Sequence, residues 1–178
     1  MKKFLFSALA LLMAAGLMAA SNAMSDQIVK EILPDTDLKP QVFAVNATVT
    51  AKVQEALGNK QPVRQQYEIY TSKSGAVILE EQMGKWGIIK MAIAVDTAKK
   101  VSNIGFISMS EKRGAGIKQA FFIKQFVGKS ISDSIEVGKG ITALSGATVS
   151  SKAVAIAVKR ALIIYDAFLA QGKPAVKK

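Results

Sequence analysis

The residues best suited to chemistry lie together at Leu144–Ser151, which reads L-S-G-A-T-V-S-S. Gly146 and Ala147 are small enough to let the backbone come close to a bulky anionic ligand. Hydroxyls at Ser145, Thr148, Ser150 and Ser151 crowd the start of a predicted helix, with Val149 inside its first turn. The first N–H groups of a helix have no intrahelical acceptor, and the aligned peptide dipoles place about half a positive charge there. Such an end is a ready phosphate site. An ordinary Ser/Thr cap after a glycine turn would use the same residues.

A second stretch, Ser110–Lys129, reads S-E-K-R-G-A-G-I-K-Q-A-F-F-I-K-Q-F-V-G-K. A glycine loop containing Glu111, Arg113, Gly114 and Gly116 leads into a predicted helix that places Ile117, Phe121, Phe122 and Phe126 on a core and ends at Gly128. A tight strand-to-helix turn with solvated charges fits the spacing too. The G-x-G is not a dinucleotide fingerprint, because the third glycine and the acidic residue about twenty positions on are missing. Trp86 stands between Gly84 and Gly87; it is a core aromatic or a cofactor neighbour, and burial is the expectation because most aromatics simply pack.

These stretches must be carried by a scaffold, and periodicity supplies one. Ile28, Val29, Ile32 and Leu33 recur at helical spacing before Pro34, and Ala47–Leu57 reads as a short helix closed by Gly58. From Gln66 the period changes to two. Residues 66–82 form a predicted hairpin around Ser72–Gly75, and residues 87–95 and 101–109 a second strand pair. A short strand is expected near Ile135–Val137. A final helix, about Val149–Ala170, sets Val154, Val158, Ala161, Leu162, Tyr165, Phe168 and Leu169 on one face, with Lys152, Lys159 and Arg160 mostly off it. The fold class is therefore α+β: one antiparallel sheet of about four strands, a long C-terminal helix and shorter helices.

Composition narrows the functions. Lys2 and Lys3, an apolar run over Phe4–Ala20, and small residues at Ser21 and Ala23 read as an export signal cleaved after Ala23, so a periplasmic or otherwise exported location is expected. Losing Lys2 and Lys3 lowers the net charge from +11 to about +9, a surface suited to anionic partners; nucleic acid is not expected for an exported chain. The chain has no Cys and no His, which excludes Cys-ligated clusters, haem attachment through C-x-x-C-H, His-ligated zinc and His or Cys catalysis. No metal ligands and no catalytic residues are assigned.

The motif S-G-A-T-V-S-S followed by a basic amphipathic helix resembles the attachment motif of the FMN-binding domain family. That family includes the periplasm-facing covalent-FMN subunits of sodium-pumping NADH:quinone reductases and of related ferredoxin:NAD oxidoreductase complexes. The E-x-R-G-x-G loop and the F-x-x-Q-F-x-G-K run are similar to a pattern seen upstream in small members. The resemblance implies FMN joined through a phosphoester to Thr148 by a dedicated flavin transferase, with Ser145, Gly146, Ala147, Val149 and Ser150 around it. It implies Glu111, Arg113, Gly114 and Gly116 near the flavin; Trp86 remains the candidate cofactor neighbour named above, and the helix N-terminus and Lys152 are placed in sequence to offset the phosphoester's charge.

The implied function is electron transfer by an exported flavoprotein rather than stand-alone turnover, with an unidentified redox partner, a membrane electron-transfer complex being one. A non-redox exported module binding an anionic lipid or cell-wall ligand is the alternative from composition. Thr142 stands where the transferase pattern usually has aspartate. The organisation expected is a signal over 1–23, an N-terminal helical segment over 24–64, the FMN-binding domain over 65–170 and a basic tail over 171–178.

Overall fold

The computed structural model describes residues 23–110 and 114–172. Of the expected signal over 1–23, residues 1–22 lie outside the described residues, as do Glu111, Arg113 and the expected tail over 171–178 from residue 173 on. In chain order the elements are α1 (residues 23–32), β1 (Lys39–Ala44), α2 (Ala47–Leu57), β2 (Gln66–Thr71), β3 (Gly75–Met83), β4 (Ile88–Asp96), β5 (Val101–Ser108), a 3₁₀ turn (Ala115–Lys118), α3 (Ala120–Ile123), β6 (Glu136–Val137), β7 (Gly140–Ile141) and α4 (Thr148–Ala170). The first five strands form one antiparallel sheet in the order β1-β2-β3-β4-β5, so the α+β architecture holds with five strands where four were expected. The extra one is β1, which pairs with β2 from Lys39↔Thr71 to Ala44↔Gln66. Its Pro40 lacks an N–H, which an edge strand tolerates.

Both faces of the sheet are covered. On one, α4 and α2 bury Phe43, Tyr67, Ile69, Ile78, Met91 and Ile93 against Val49, Val53, Val154, Val158 and Phe168. On the other, α1 lays Val29, Ile32 and Leu33 over Tyr70, Val77, Ala92 and Ala94. This explains why β4 and the first five residues of β3 are almost continuously apolar rather than alternating: a strand buried on both sides needs no polar face. Close approach of α1 depends on Gly105, where an added Cβ would sit 2.4 Å from Ile28 Cγ2.

One charged group sits inside this core. Arg160 of α4 is 1 % exposed, although its charge suggested the solvent side of the helix. Its Nη2 lies 2.7 Å from Glu80 Oε2 on β3 and donates to Glu81 O at 2.8 Å, while Nη1 donates to Gln82 Oε1 at 3.0 Å and Pro62 O at 3.2 Å. Glu80 is also 1 % exposed, and Arg64, stacked 4.2 Å over the Tyr67 ring, approaches it at 3.8 Å. Burial pushes the Glu80 carboxyl above its ordinary value; the Arg160 charge and hydrogen bonds, and then Arg64, pull the other way.

Breaking such a pair strands one charge in a dry interior. Arg160→Met is expected to lose about 3–5 kcal/mol of stability, whereas Glu80→Leu with Arg160→Met recovers at least about half of the loss. Urea unfolding of both variants checks this, with an unchanged midpoint in Arg160→Met counting against a structural pair.

Candidate functional site

The candidate residues meet where α4 begins. Thr148 is the first residue of this 23-residue helix and is exposed. The residue before it, Ala147, is the N-cap, so the position an ordinary Ser/Thr cap would take is held by a side chain with no oxygen. The N–H groups that begin a helix are donors without intrahelical acceptors, and the N-cap side chain offers them none. Gly146 makes the turn into the helix with φ +74°, a left-handed conformation that a Cβ would strain, and open space lies where that Cβ would be.

Thr148 lines a pocket of about 310 Å³ together with Gly146, Ala147, Val149 and Ser150 on its own segment, and Lys85, Trp86 and Gly114 from across the gap. Trp86 is 63 % exposed, so its expected core burial is overturned. The cause is local. Gly84 N–H donates to Gly87 O at 2.8 Å, closing the β3–β4 turn, and the indole at the tip of that hairpin is carried past the edge of the core. Lys85 Nζ lies 5.3 Å from the indole centroid, within cation–π range. Met83 and Ile88, the last pair of this hairpin, are exposed beside it.

The glycine loop comes to the same place. Gly114 lines the pocket, Gly87 packs where its Cβ would be 3.3 Å from Ser110 Cβ, and a Cβ on Gly116 would be 3.1 Å from Leu144 Cδ1. The predicted helix after this loop is instead a 3₁₀ turn followed by the four-residue α3, with Ile117, Phe122 and Phe126 fully buried and Phe121 62 % exposed. Gly128 turns the chain at φ +81° after this segment. Ser145 is exposed and sits just outside the pocket lining, and Lys152 lines a different hollow, between α2 and α4.

Two positioning residues escaped the sequence reading. Ser151, fully buried, donates its hydroxyl to Ala147 O at 2.9 Å and accepts from Leu144 N–H at 3.1 Å, tying both ends of the S-G-A-T turn to the helix. Its signal was the last letter of the motif. Gln125 clamps Thr142 at both backbone groups, accepting from its N–H at 2.8 Å and donating to its carbonyl at 3.2 Å. The F-x-x-Q-F run thus holds the strand that enters the turn: Phe122 and Phe126 pack edge to face at 5.3 Å beneath it.

The arrangement is a shallow pocket at the start of a helix, with an alcohol, an ammonium and an exposed indole. Its size is at the small end of the roughly 300–1,000 Å³ typical of ligand sites, fitting a ligand held by one end and one face. These features fit a phosphate-bearing aromatic cofactor and define an α+β cofactor-binding domain. No cluster of potential metal ligands occurs among the described residues.

The model of the FMN-binding domain family matches residues 84–163, from the β3–β4 turn through most of α4; over this stretch the chain is similar to that family, and the match supports FMN as its cofactor. Over 168 residues the chain is also 25 % identical to a subunit of the Na(+)-translocating ferredoxin:NAD(+) oxidoreductase complex of Acetobacterium woodii, covering 85 % of this chain and 79 % of that protein.

Because Ser151 holds the turn, Ser151→Ala is expected to cost about 1–3 kcal/mol by leaving the Leu144 amide without its acceptor. Ser145→Ala, at an exposed position, should stay within about 0.5 kcal/mol of the parent. Denaturant unfolding of the two variants side by side makes the comparison; equal stabilities would remove Ser151 from this role.

Proposed function

We propose that the chain is an exported electron-transfer flavoprotein whose FMN is esterified to Thr148. The observation that carries this reading is the placement of Thr148: an exposed alcohol opening a long helix whose N-cap is alanine, in the same pocket as an exposed tryptophan. When bound, FMN supplies one- and two-electron redox chemistry, and the protein supplies position and electrostatics. Thr148 Oγ1 provides the attachment point. The helix start and Lys85 balance the negative charge that a phosphodiester retains. Trp86 offers its face to the ring system, and the absence of a side chain at Gly146 keeps the approach open. Glu111 and Arg113, outside the described residues, are carried into this reading by the family resemblance alone.

Attachment needs help from outside. The Oγ1–H bond must break as the Oγ1–P bond forms, and the donor's bond from phosphorus to its leaving nucleotide breaks in the same exchange. A threonine hydroxyl is a weak nucleophile at neutral pH, and the chain has no His or Cys to take its proton. A flavin transferase therefore supplies the base and an activated flavin nucleotide. Electrons then pass to a redox partner, and the similarity to a component of a ferredoxin:NAD(+) oxidoreductase complex supports a membrane electron-transfer complex in that role. No helix among the described residues is long and apolar enough to cross a membrane. The rival from composition, a non-redox module, leaves the FMN-binding domain without a purpose.

Intact mass of the mature chain isolated from its native compartment is expected to exceed the sequence mass by one FMN phosphoester, and its yellow colour to survive acid precipitation. Thr148→Ala should lose the adduct completely and stay folded, since a change at a helix start costs only about 1 kcal/mol. Adduct retained on Ser145 or Ser150 would assign the bond elsewhere.

The same measurement tests export. A chain without residues 1–23, kept in the cytoplasm of the native host, is expected to carry no covalent flavin; a full adduct there would place the transferase on the wrong side of the membrane.

A further inference from the structure

A second hollow lies along α4, away from the flavin pocket. α2, α4 and the connector over 133–137 enclose a cleft of about 450 Å³ floored by Ala56, Leu57, Ile135, Ala155 and Ile156. It runs on into a trough of about 570 Å³ along the same seam, which shares Ala56 and Lys159 and has Ile131 and Ile163 for walls. Alanine at 56 and 155, on facing helices, leaves room that larger side chains would fill. Both hollows fall within the roughly 300–1,000 Å³ of small-molecule sites, and neither shares a residue with the pocket of Thr148.

The charges around the cleft are unbalanced. Its carboxylates are engaged: Asp133 accepts from Ser130 N–H at 2.8 Å and Ser130 Oγ at 2.6 Å, and Glu136 faces Lys139 at 3.8 Å. Its cations are not. Lys152 makes no hydrogen bond or ion pair among the described residues. Lys159 donates to the carbonyl oxygens of Ile131 and Asp133, neutral acceptors that leave one of its three N–H groups unused. Burial holds the Lys159 ammonium below its ordinary value, the Asp133 charge working the other way, and an anion placed beside it would relieve that desolvation. In the trough, Asp166 is taken by Lys99 at 2.6 Å and Glu55 stands near Lys52, so the end rich in unpaired positive charge is the Lys152–Lys159 end.

We propose that the α2–α4 seam binds a single-headed anionic amphiphile, with its carboxylate or phosphate head at Lys152 and Lys159 and its alkyl chain along Ala56, Ala155 and Ile163. The apolar floor with a few placed cations is the composition such ligands need, charge and chain each finding a partner. α2 lies outside residues 84–163, whereas the connector over 133–137 and α4 lie inside them, so the cleft spans the edge of the family match.

Dodecanoate, below the concentration at which it forms micelles, is the probe, titrated calorimetrically into the mature chain. One saturable site is expected, with affinity reduced by about tenfold or more in Ala56→Phe, which fills the floor from an exposed helix position, and in Lys152→Glu, which reverses the head-group charge. Dodecyltrimethylammonium, with the same chain and the opposite charge, is expected to bind at least about tenfold more weakly. Thermal unfolding of both variants confirms that they fold. Absence of saturable dodecanoate binding, parental affinity in Ala56→Phe, or equal binding of the cationic amphiphile would each overturn the site. Anionic phosphatidylglycerol vesicles separate the two sources of such a head group: binding to vesicles with none to monomeric dodecanoate would mean surface attraction alone and also overturns it. The flavin adduct at Thr148 is read by mass in the same samples, so failure of the seam and failure of the flavin assignment are separate results.

Discussion

Arg160 and Glu80 form an ion pair that water barely reaches, with side chains 2 % and 0 % exposed. Leaving water costs each ion several kcal/mol, and their attraction repays this only with well-made geometry and further hydrogen bonds. Here the guanidinium finds Glu80 twice over, plus Gln82 and two backbone carbonyls, all on β3 or the segment before β2. Apolar contacts can slide or rotate with little penalty, whereas this one fixes α4 in rotation and in translation against the sheet. Thr148 lies twelve residues before Arg160, about 18 Å along the axis and about a third of a turn around it. Fixing Arg160 therefore also fixes which way the helix start faces.

The start of the helix is then adjusted locally. Ser151 binds the turn to the first coil of α4, Gln125 grips the strand that enters it, and the α3 region is itself tied to β5 through Gly128 N–H to Val101 O at 2.8 Å. From the opposite side the β3–β4 hairpin extends its turn, and nine consecutive register pairs from Gly75↔Asp96 to Met83↔Ile88 keep that extension rigid. The pocket is thus assembled from two stiff projections rather than from mobile loops. A covalently held cofactor suits such a shallow place, because the bond supplies retention and the walls need only orient the ring.

Much of this was legible in the residues. α2 was readable to its ends because Gly58, at φ +87°, can close a helix as few other residues can, and the β2–β3 and β4–β5 hairpins were readable from period and turn residues. β1 was hidden because a six-residue edge strand containing Pro40 has little pattern of its own and takes its structure from β2. Arg160 misled for a different reason. Charge is a guide to exposure only when no partner waits inside, and the partner, Glu80, is eighty residues away in a strand whose first five residues are Gly, Ala, Val, Ile and Leu. Trp86 misled in the converse way, since size argues for burial unless a tight turn holds the ring beyond the core. Both errors concern contacts between distant segments, which local periodicity cannot contain.

The same long-range contacts bear on where the functional unit begins. The family match starts at residue 84, but Arg160 lies inside that range while Glu80, Gln82 and Pro62 lie before it. A fold confined to 84–163 would bury a guanidinium without its carboxylate and would expose the faces of β4 and α4 that β3, α2 and β1 now cover. Phe43 of β1 meets Phe168 of α4 edge to face at 5.8 Å, and Val49 and Val53 of α2 pack in the same cluster as Val158 and Ala161. On the other face, Gly105 of β5 is shaped for Ile28 and Ile32 of α1. The segments ahead of the match therefore support the flavin pocket without touching it: they hold the sheet, the sheet holds Arg160, and Arg160 fixes the helix whose first residue carries the hydroxyl.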